Sequence, residues 1–156
     1  MKRRSRRSAT VTEHVADAGR LHGRCLCGGV SLSVPASAHD VHVCHCGACR
    51  RWHGGPAMVV HAGDDLRIEA GGDQVRRFAS SDWAERAFCG VCGSGVYFRL
   101  TGAGQSFVPA GLFETLPGAR LHSEIFTDAQ PDWYAFAGTR ERLTEAEFLA
   151  RVGAAD

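Results

Sequence analysis

The chain has 156 residues, 44% hydrophobic and 22% charged, a length and balance that support one ordinary core without a disulfide scaffold or an obligatory partner. No apolar run approaches the ~18 residues of a membrane span, so the sequence reads as that of a soluble protein. Its formal charge of +1 conceals an asymmetry: Lys2, Arg3, Arg4, Arg6 and Arg7 form a basic arm, while residues 8–156 hold 13 basic against 17 acidic side chains, a net of −4 that argues against electrostatic reading of nucleic acid by the folded body.

Residues 1–20 lack hydrophobic periodicity and read as a disordered basic arm ahead of a single domain at 21–156. The Arg- and Ser-rich composition suits a transit peptide, and Ser5-Arg6-Arg7 faintly echoes a twin-arginine signal. However, Glu13, His14, Asp17, Arg20, His22 and Arg24 interrupt any apolar stretch behind it. A solvated tail and a cytoplasmic location are therefore expected.

Short alternating stretches between glycine turns then predict strands. Val30, Leu32 and Val34 alternate with Ser31 and Ser33, and Val41 and Val43 follow. Further strands are expected at Met58 to His61, Leu66 to Ile68, Val75 to Phe78, Ala87 to Phe88, Val96 to Leu100 and Phe107 to Ala110. Gly63-Asp64, Gly71-Gly72-Asp73, Gly93-Ser94-Gly95 and Gly102-Ala103-Gly104 mark turns between them. One helix is predicted, from the capping box Thr144-Glu145-Ala146-Glu147 with Phe148, Leu149 and Val152 at helical spacing. The pattern is that of a mainly β, mainly antiparallel domain with a short C-terminal helix, and no phosphate-binding or dinucleotide motif is present.

Seven cysteines are many for such a chain, and they fall into three groups: Cys25-Leu26-Cys27, Cys44-His45-Cys46-Gly47-Ala48-Cys49 and Cys89-Gly90-Val91-Cys92. In a reducing compartment such spacings point to zinc rather than disulfides. A structural zinc takes four protein ligands and a catalytic one commonly three. The pairs Cys25/Cys27 and Cys89/Cys92 fit one closed site and Cys44, Cys46 and Cys49 an open one, although His42, His45, His53 or His61 could close the second. Seven thiolates and two Zn²⁺ add a net −3, which Arg24, Arg50, Arg51 and Arg86 are placed to offset. Arg50 and Arg51 are also candidates for gripping an anionic substrate, and His53 for shuttling a proton. Trp52, Trp83 and Trp133 are expected to pack in the core.

The three cysteine motifs with their flanks, Gly23-Arg24-Cys25-Leu26-Cys27-Gly28-Gly29-Val30, Cys44 to Arg51 and Arg86-Ala87-Phe88-Cys89-Gly90-Val91-Cys92-Gly93, resemble the glutathione-dependent formaldehyde-activating enzyme (GFA) family, which also includes centromere protein V. The resemblance continues through Gly111-Leu112-Phe113 and Glu124-Ile125-Phe126 to Pro131-Asp132-Trp133-Tyr134. It implies a β-tent fold of small antiparallel sheets organised around two zinc ions per chain. Cys25, Cys27, Cys89 and Cys92 would hold the structural ion, and Cys44, Cys46 and Cys49 the catalytic one. The implied activity is that of a carbon–sulfur lyase acting on a thiol–aldehyde adduct such as S-hydroxymethylglutathione, with a small thiol such as glutathione as partner. The alternative is a non-catalytic zinc scaffold that binds a protein or, through the basic arm, a polyanion.

Overall fold

The computed structural model describes residues 19–153, so all but the last two residues of the expected basic arm lie outside the described residues. Two sheets carry the chain. The smaller is antiparallel, in the order β1 (Arg20–Arg24), β2 (Ser31–Pro35), β5 (Arg67–Ala70). The larger has eight strands. One half runs β11 (Glu141–Leu143), β10 (Leu121–Ile125), β3 (Val41–Cys44), β4 (Ala57–Gly63). The other continues β9 (Ser106–Pro109), β8 (Gly95–Leu100), β7 (Ala84–Cys89), β6 (Val75–Ser81). The mainly β expectation holds, and pairing is antiparallel except at β10, which lies parallel to both β3 and β11.

The core fills the space between the sheets, where Val30, Leu32 and Val34 of the small sheet and its approach meet Val60, Ala62, Ala87, Val96 and Val108 of the large one. The period-two alternation read for β2 is only half realised: Ser33 is as buried as Leu32 and Val34. Its hydroxyl accepts from Arg20 Nε at 2.8 Å and bonds Glu69, and Arg20 also donates to Asp65 at 2.7 Å, so the polar face of β2 is roofed by a salt-bridged arginine rather than by water.

Three strands were not predicted. β1 contains Arg20, His22, Gly23 and Arg24 and has no apolar alternation; it forms because all five of its residues pair with β2. β10 and β11 are likewise polar and are held by their neighbours. A short helix, α1 (Gly47–His53), also escaped the periodicity because it is only seven residues long. Its stop signal was nevertheless legible: Arg50, Arg51 and His53 occupy the last turn, and Gly54 takes the left-handed conformation at φ 72°.

The C-terminal helix, α2 (Glu145–Val152), forms as predicted: Thr144 accepts from the Glu147 amide and Glu147 reaches back to the Thr144 amide. Phe148 packs on Phe126, ring centroids 5.6 Å apart, and Phe126 itself has φ 57°, rare for a bulky residue, at the point where the chain leaves β10. The tryptophan expectation holds in part. Trp52 packs against Phe78 and Phe88, whereas Trp83 (62% exposed) and Trp133 (69%) lie on the surface, each touching one aromatic edge.

Gly71 has φ +71°, and a Cβ there would sit 1.9 Å from the Gly29 carbonyl oxygen, so both backbone conformation and close approach demand glycine. Gly71→Ala is expected to destabilise by on the order of 3 kcal/mol or more, since positive φ and a backbone clash combine, against about 1 kcal/mol for Thr144→Ala. Urea melts of the two variants beside wild type check this order.

Candidate metal centres

The first centre is assembled from two turns. Cys25 and Cys27 lie just beyond β1 of the small sheet, and Cys89 and Cys92 lie at the end of β7 and in the turn into β8 of the large one. The four sulfurs all fall within 4.8 Å of one another, with Cys25 and Cys27 3.4 Å apart and Cys27 and Cys89 3.8 Å apart. The Val30 amide donates to Cys25 Sγ at 3.2 Å, the Ser94 hydroxyl contacts Cys92 Sγ at 3.3 Å, and the Leu26 amide donates to that same hydroxyl at 3.1 Å, tying the turns together. Hydrogen bonds from the Ser94 side chain, then from the Ser94 and Cys27 amides, bring the Cys92 thiol down to about 5. The Gly29 amide favours a Cys27 thiolate, but hydrogen bonds to Cys25 and Cys92 outweigh it and push that thiol up to about 12.

The second centre is local. Cys44 ends β3, Cys46 caps α1, and Cys49 lies in its first turn, its amide 3.4 Å from Cys46 Sγ. These three sulfurs also lie within 4.8 Å of one another, and no histidine or carboxylate among the described residues joins them. Hydrogen bonds from Cys44 and then Cys49 hold Cys46 down at about 2, while Cys44 is driven far above the thiol range by its bond to Cys46, then by Cys49 and by burial. With protons alone, such a cluster shares its negative charge among sulfurs; a divalent cation is what makes every member a thiolate. All-sulfur donor sets suit zinc and other thiophilic ions and do not suit calcium or magnesium. The seven cysteines can therefore hold metal, in the four-plus-three division that ligand counting suggested.

The four candidate histidines are directed elsewhere. His45, between two of the cysteines, is fully buried: its Nε2 donates to Glu124 at 2.8 Å and its Nδ1 faces the Tyr134 hydroxyl at 2.7 Å. His42 is bonded to Ser123, His61 to Gln105 and stacked on Phe107, and His53, the last residue of α1, lines a small cavity beside Arg86. Glu124 is itself completely buried and is met by Arg140 and by Arg142 at 2.7 Å. Burial pushes its carboxyl upward, but the Arg140 and His45 hydrogen bonds and the Arg142 charge win and hold it below the ordinary range. The Tyr134–His45–Glu124–arginine network thus underpins the Cys44–Cys46 turn, and Arg50 adds a bond from Nε to the His45 carbonyl at 3.0 Å. The cysteine spacing drew attention to His45 as a ligand; Glu124 stood out only within the Glu124-Ile125-Phe126 stretch of the family resemblance and Arg140 and Arg142 only as charges, and none could be matched to His45 across 79 and more residues.

Of the candidate substrate cations, Arg50 keeps one edge on that carbonyl, and Arg51 is exposed and turns back over Gly47. Arg24 is at the surface, 4.0 Å from Glu114. Arg86 alone of the four is buried, with Nη2 3.9 Å from Cys49 Sγ. Beside it a cavity of about 10 Å³, room for a single water, is lined by Trp52, His53, Phe98, Phe107 and Pro109. Burial, and then the Arg86 charge, lowers the His53 pKa.

Replacing Glu124 by Gln leaves two arginines around a neutral amide, and unfolding is expected to become easier by about 3–5 kcal/mol at neutral pH. The carboxyl's depressed folded-state pKa contributes stability above its ordinary range that is lost as pH falls through the lowered value, so the deficit of Glu124→Gln should shrink in acid. Denaturant midpoints of both proteins between about pH 7 and pH 3 test the sign.

The family model of the glutathione-dependent formaldehyde-activating enzyme matches residues 20–129. A Schizosaccharomyces pombe protein named as an uncharacterized lyase is 30% identical over 131 residues, spanning 83% of this chain and 95% of that one. The crystal structure of a Rhodobacter sphaeroides protein superposes with a TM-score of 0.54 at 24% identity, covering 63% of this chain and 92% of the other, and supports the fold. With its three cysteine motifs gathered into two sulfur clusters on a mainly β frame, the chain belongs to the glutathione-dependent formaldehyde-activating enzyme family.

Proposed function

We propose that this protein is a zinc-dependent carbon–sulfur lyase that makes and breaks the adduct of a small thiol with an aldehyde, such as S-hydroxymethylglutathione formed from glutathione and formaldehyde. The observation that carries the reading is the contrast between the clusters. One has four sulfurs, enough to close a tetrahedral ion, and the other three sulfurs with no fourth protein donor among the described residues. Cys25, Cys27, Cys89 and Cys92 are assigned to the structural zinc, and Cys44, Cys46 and Cys49 to the catalytic zinc, two ions per chain. The family to which the chain belongs and the lyase name of its yeast relative support the same chemistry.

Zinc bound by the three thiolates would hold an added thiol as thiolate, more readily than it would polarise an aldehyde oxygen, because the three cysteines already donate charge to it. The chain's own residues supply the rest. In the cleavage direction the C–S bond breaks with its electron pair going to sulfur, and the hydroxyl proton must leave as the aldehyde forms. His53, whose pKa is lowered by partial desolvation and then by the Arg86 charge, is assigned to take that proton and to return it in the direction of addition. Arg50 and Arg51 follow Cys49 on α1 and are assigned to the carboxylates of a glutathione-like thiol. The His45–Glu124 network holds the Cys44–Cys46 turn so that the sulfurs are presented in one geometry.

Cys46→Ala is expected to lower bound zinc from about two ions per chain to about one, and to abolish any acceleration of glutathione–formaldehyde interconversion, with the fold retained. Two-dimensional exchange NMR of the adduct with and without protein, beside a metal count, reads both. An unchanged exchange rate in Cys46→Ala would sink the lyase reading, and absence of acceleration by the wild-type chain would favour the non-catalytic scaffold.

A further inference from the structure

Three buried arginines stand out in the fold, and two have acids: Arg20 meets Asp65, and Arg140 meets Glu124. Arg86 is only 6% exposed and has no carboxylate at ion-pairing distance among the described residues. Its guanidinium carbon lies 4.9 Å from the Phe98 ring centre and 5.7 Å from that of Trp52, and its Nη2 is 3.9 Å from Cys49 Sγ. A buried guanidinium without an anion is costly, and aromatic faces offset only part of that cost. The remaining anion within reach is the sulfur cluster.

Strand register fixes this encounter. On β7, Arg86 and Phe88 face α1, where they meet Trp52, while Ala87 and Cys89 point into the core. Arg86 is paired with Phe78 on β6 and Phe98 on β8, so aromatic neighbours on both sides confine the guanidinium and leave the helix carrying Cys49 as its outlet. Arg50 cannot serve equally, because its Nε is committed to the His45 carbonyl, and Arg51 sits in solvent.

Three thiolates and one divalent ion carry a net −1, and a fourth thiolate makes the centre −2. A neutral fourth ligand adds no charge. We propose that Arg86 is the counterion that makes the Cys44/Cys46/Cys49 centre selective for an anionic sulfur ligand, a specificity-determining positioning residue that acts through Cys49. This inference rests on the reading of that centre as the thiol-binding zinc. The thiol binds after losing its proton to water, and the fixed cation lowers the free energy of the doubly negative state far more than that of a centre holding a neutral donor.

The test uses the full chain loaded with cobalt(II), whose sulfur-to-metal charge-transfer absorption reports ligands directly and without turnover. Glutathione and, separately, imidazole are titrated into wild type, Arg86→Met and Arg86→Lys. Arg86→Met is expected to weaken glutathione binding roughly tenfold or more, to leave imidazole within about threefold, and Arg86→Lys to recover most of the loss. Equal weakening of both ligands would reduce Arg86 to a packing role, and either no weakening or no glutathione response in wild type would overturn the proposal. If Arg86→Met loses the metal of the four-cysteine centre, showing a damaged fold, Arg86→Gln takes its place with the same expected selectivity. A wild-type chain that binds glutathione at cobalt but does not accelerate adduct exchange would refute the lyase reading alone. Conversely, Arg86→Met indistinguishable from wild type in both titrations would refute this inference alone.

Discussion

Four sulfurs meeting at the seam of two sheets are the constraint on which the rest of this molecule depends. Cys25 and Cys27 extend from the small sheet and Cys89 and Cys92 from the large one, so the cluster fastens together layers whose strands are otherwise joined mainly by apolar burial. The contact also closes a loop of more than 60 residues, an ordering that is entropically expensive and that neither turn achieves alone. Inside that loop lie β2 to β6 and the whole Cys44–Cys49 segment. A cation at the cluster would therefore act on folding as well as on local geometry.

Strand β7 connects the two centres through its alternation. Cys89 ends it on the core side, and Arg86 leaves it on the opposite side toward Cys49, so one strand delivers a ligand to the first cluster and a cation to the second. The large sheet thereby has two differently used faces: one dry face against the small sheet, and one aromatic face on which α1 rests through Trp52.

The second cluster depends on a different device, a buried anion. Glu124, on a strand lying parallel to β3, accepts from His45 and from two arginines, and Tyr134 closes the other side of the same imidazole. Three members of this network, Tyr134, Arg140 and Arg142, lie beyond residue 129, where the family match ends. The polar strands β10 and β11 make sense in this light: they bring charged groups to the Cys44–Cys46 turn, and the pairing of β10 with β3 and of β11 with β10 substitutes for the apolar alternation they lack.

Much of this was legible from one dimension. The cysteine spacings gave the three local cysteine groups, because CxC and CxxC turns are local and their chemistry is unusual. The capping box gave α2, and alternation between glycines gave most of the strands. Helix α1 was missed because seven residues show too little period, and β1, β10 and β11 because their residues are polar. His45 was open to reading as a ligand, since a histidine flanked by two cysteines invites it, and only its two committed nitrogens exclude it. What the sequence determined by itself was the inventory of thiols, their local grouping and the class of fold. Which distant pairs share a centre was implied in the sequence only by family resemblance. That assignment, together with the match of Glu124 to His45 and of buried Arg86 to Cys49, was decided by the tertiary structure, because long-range contacts depend on strand register and sheet order, which no local pattern encodes.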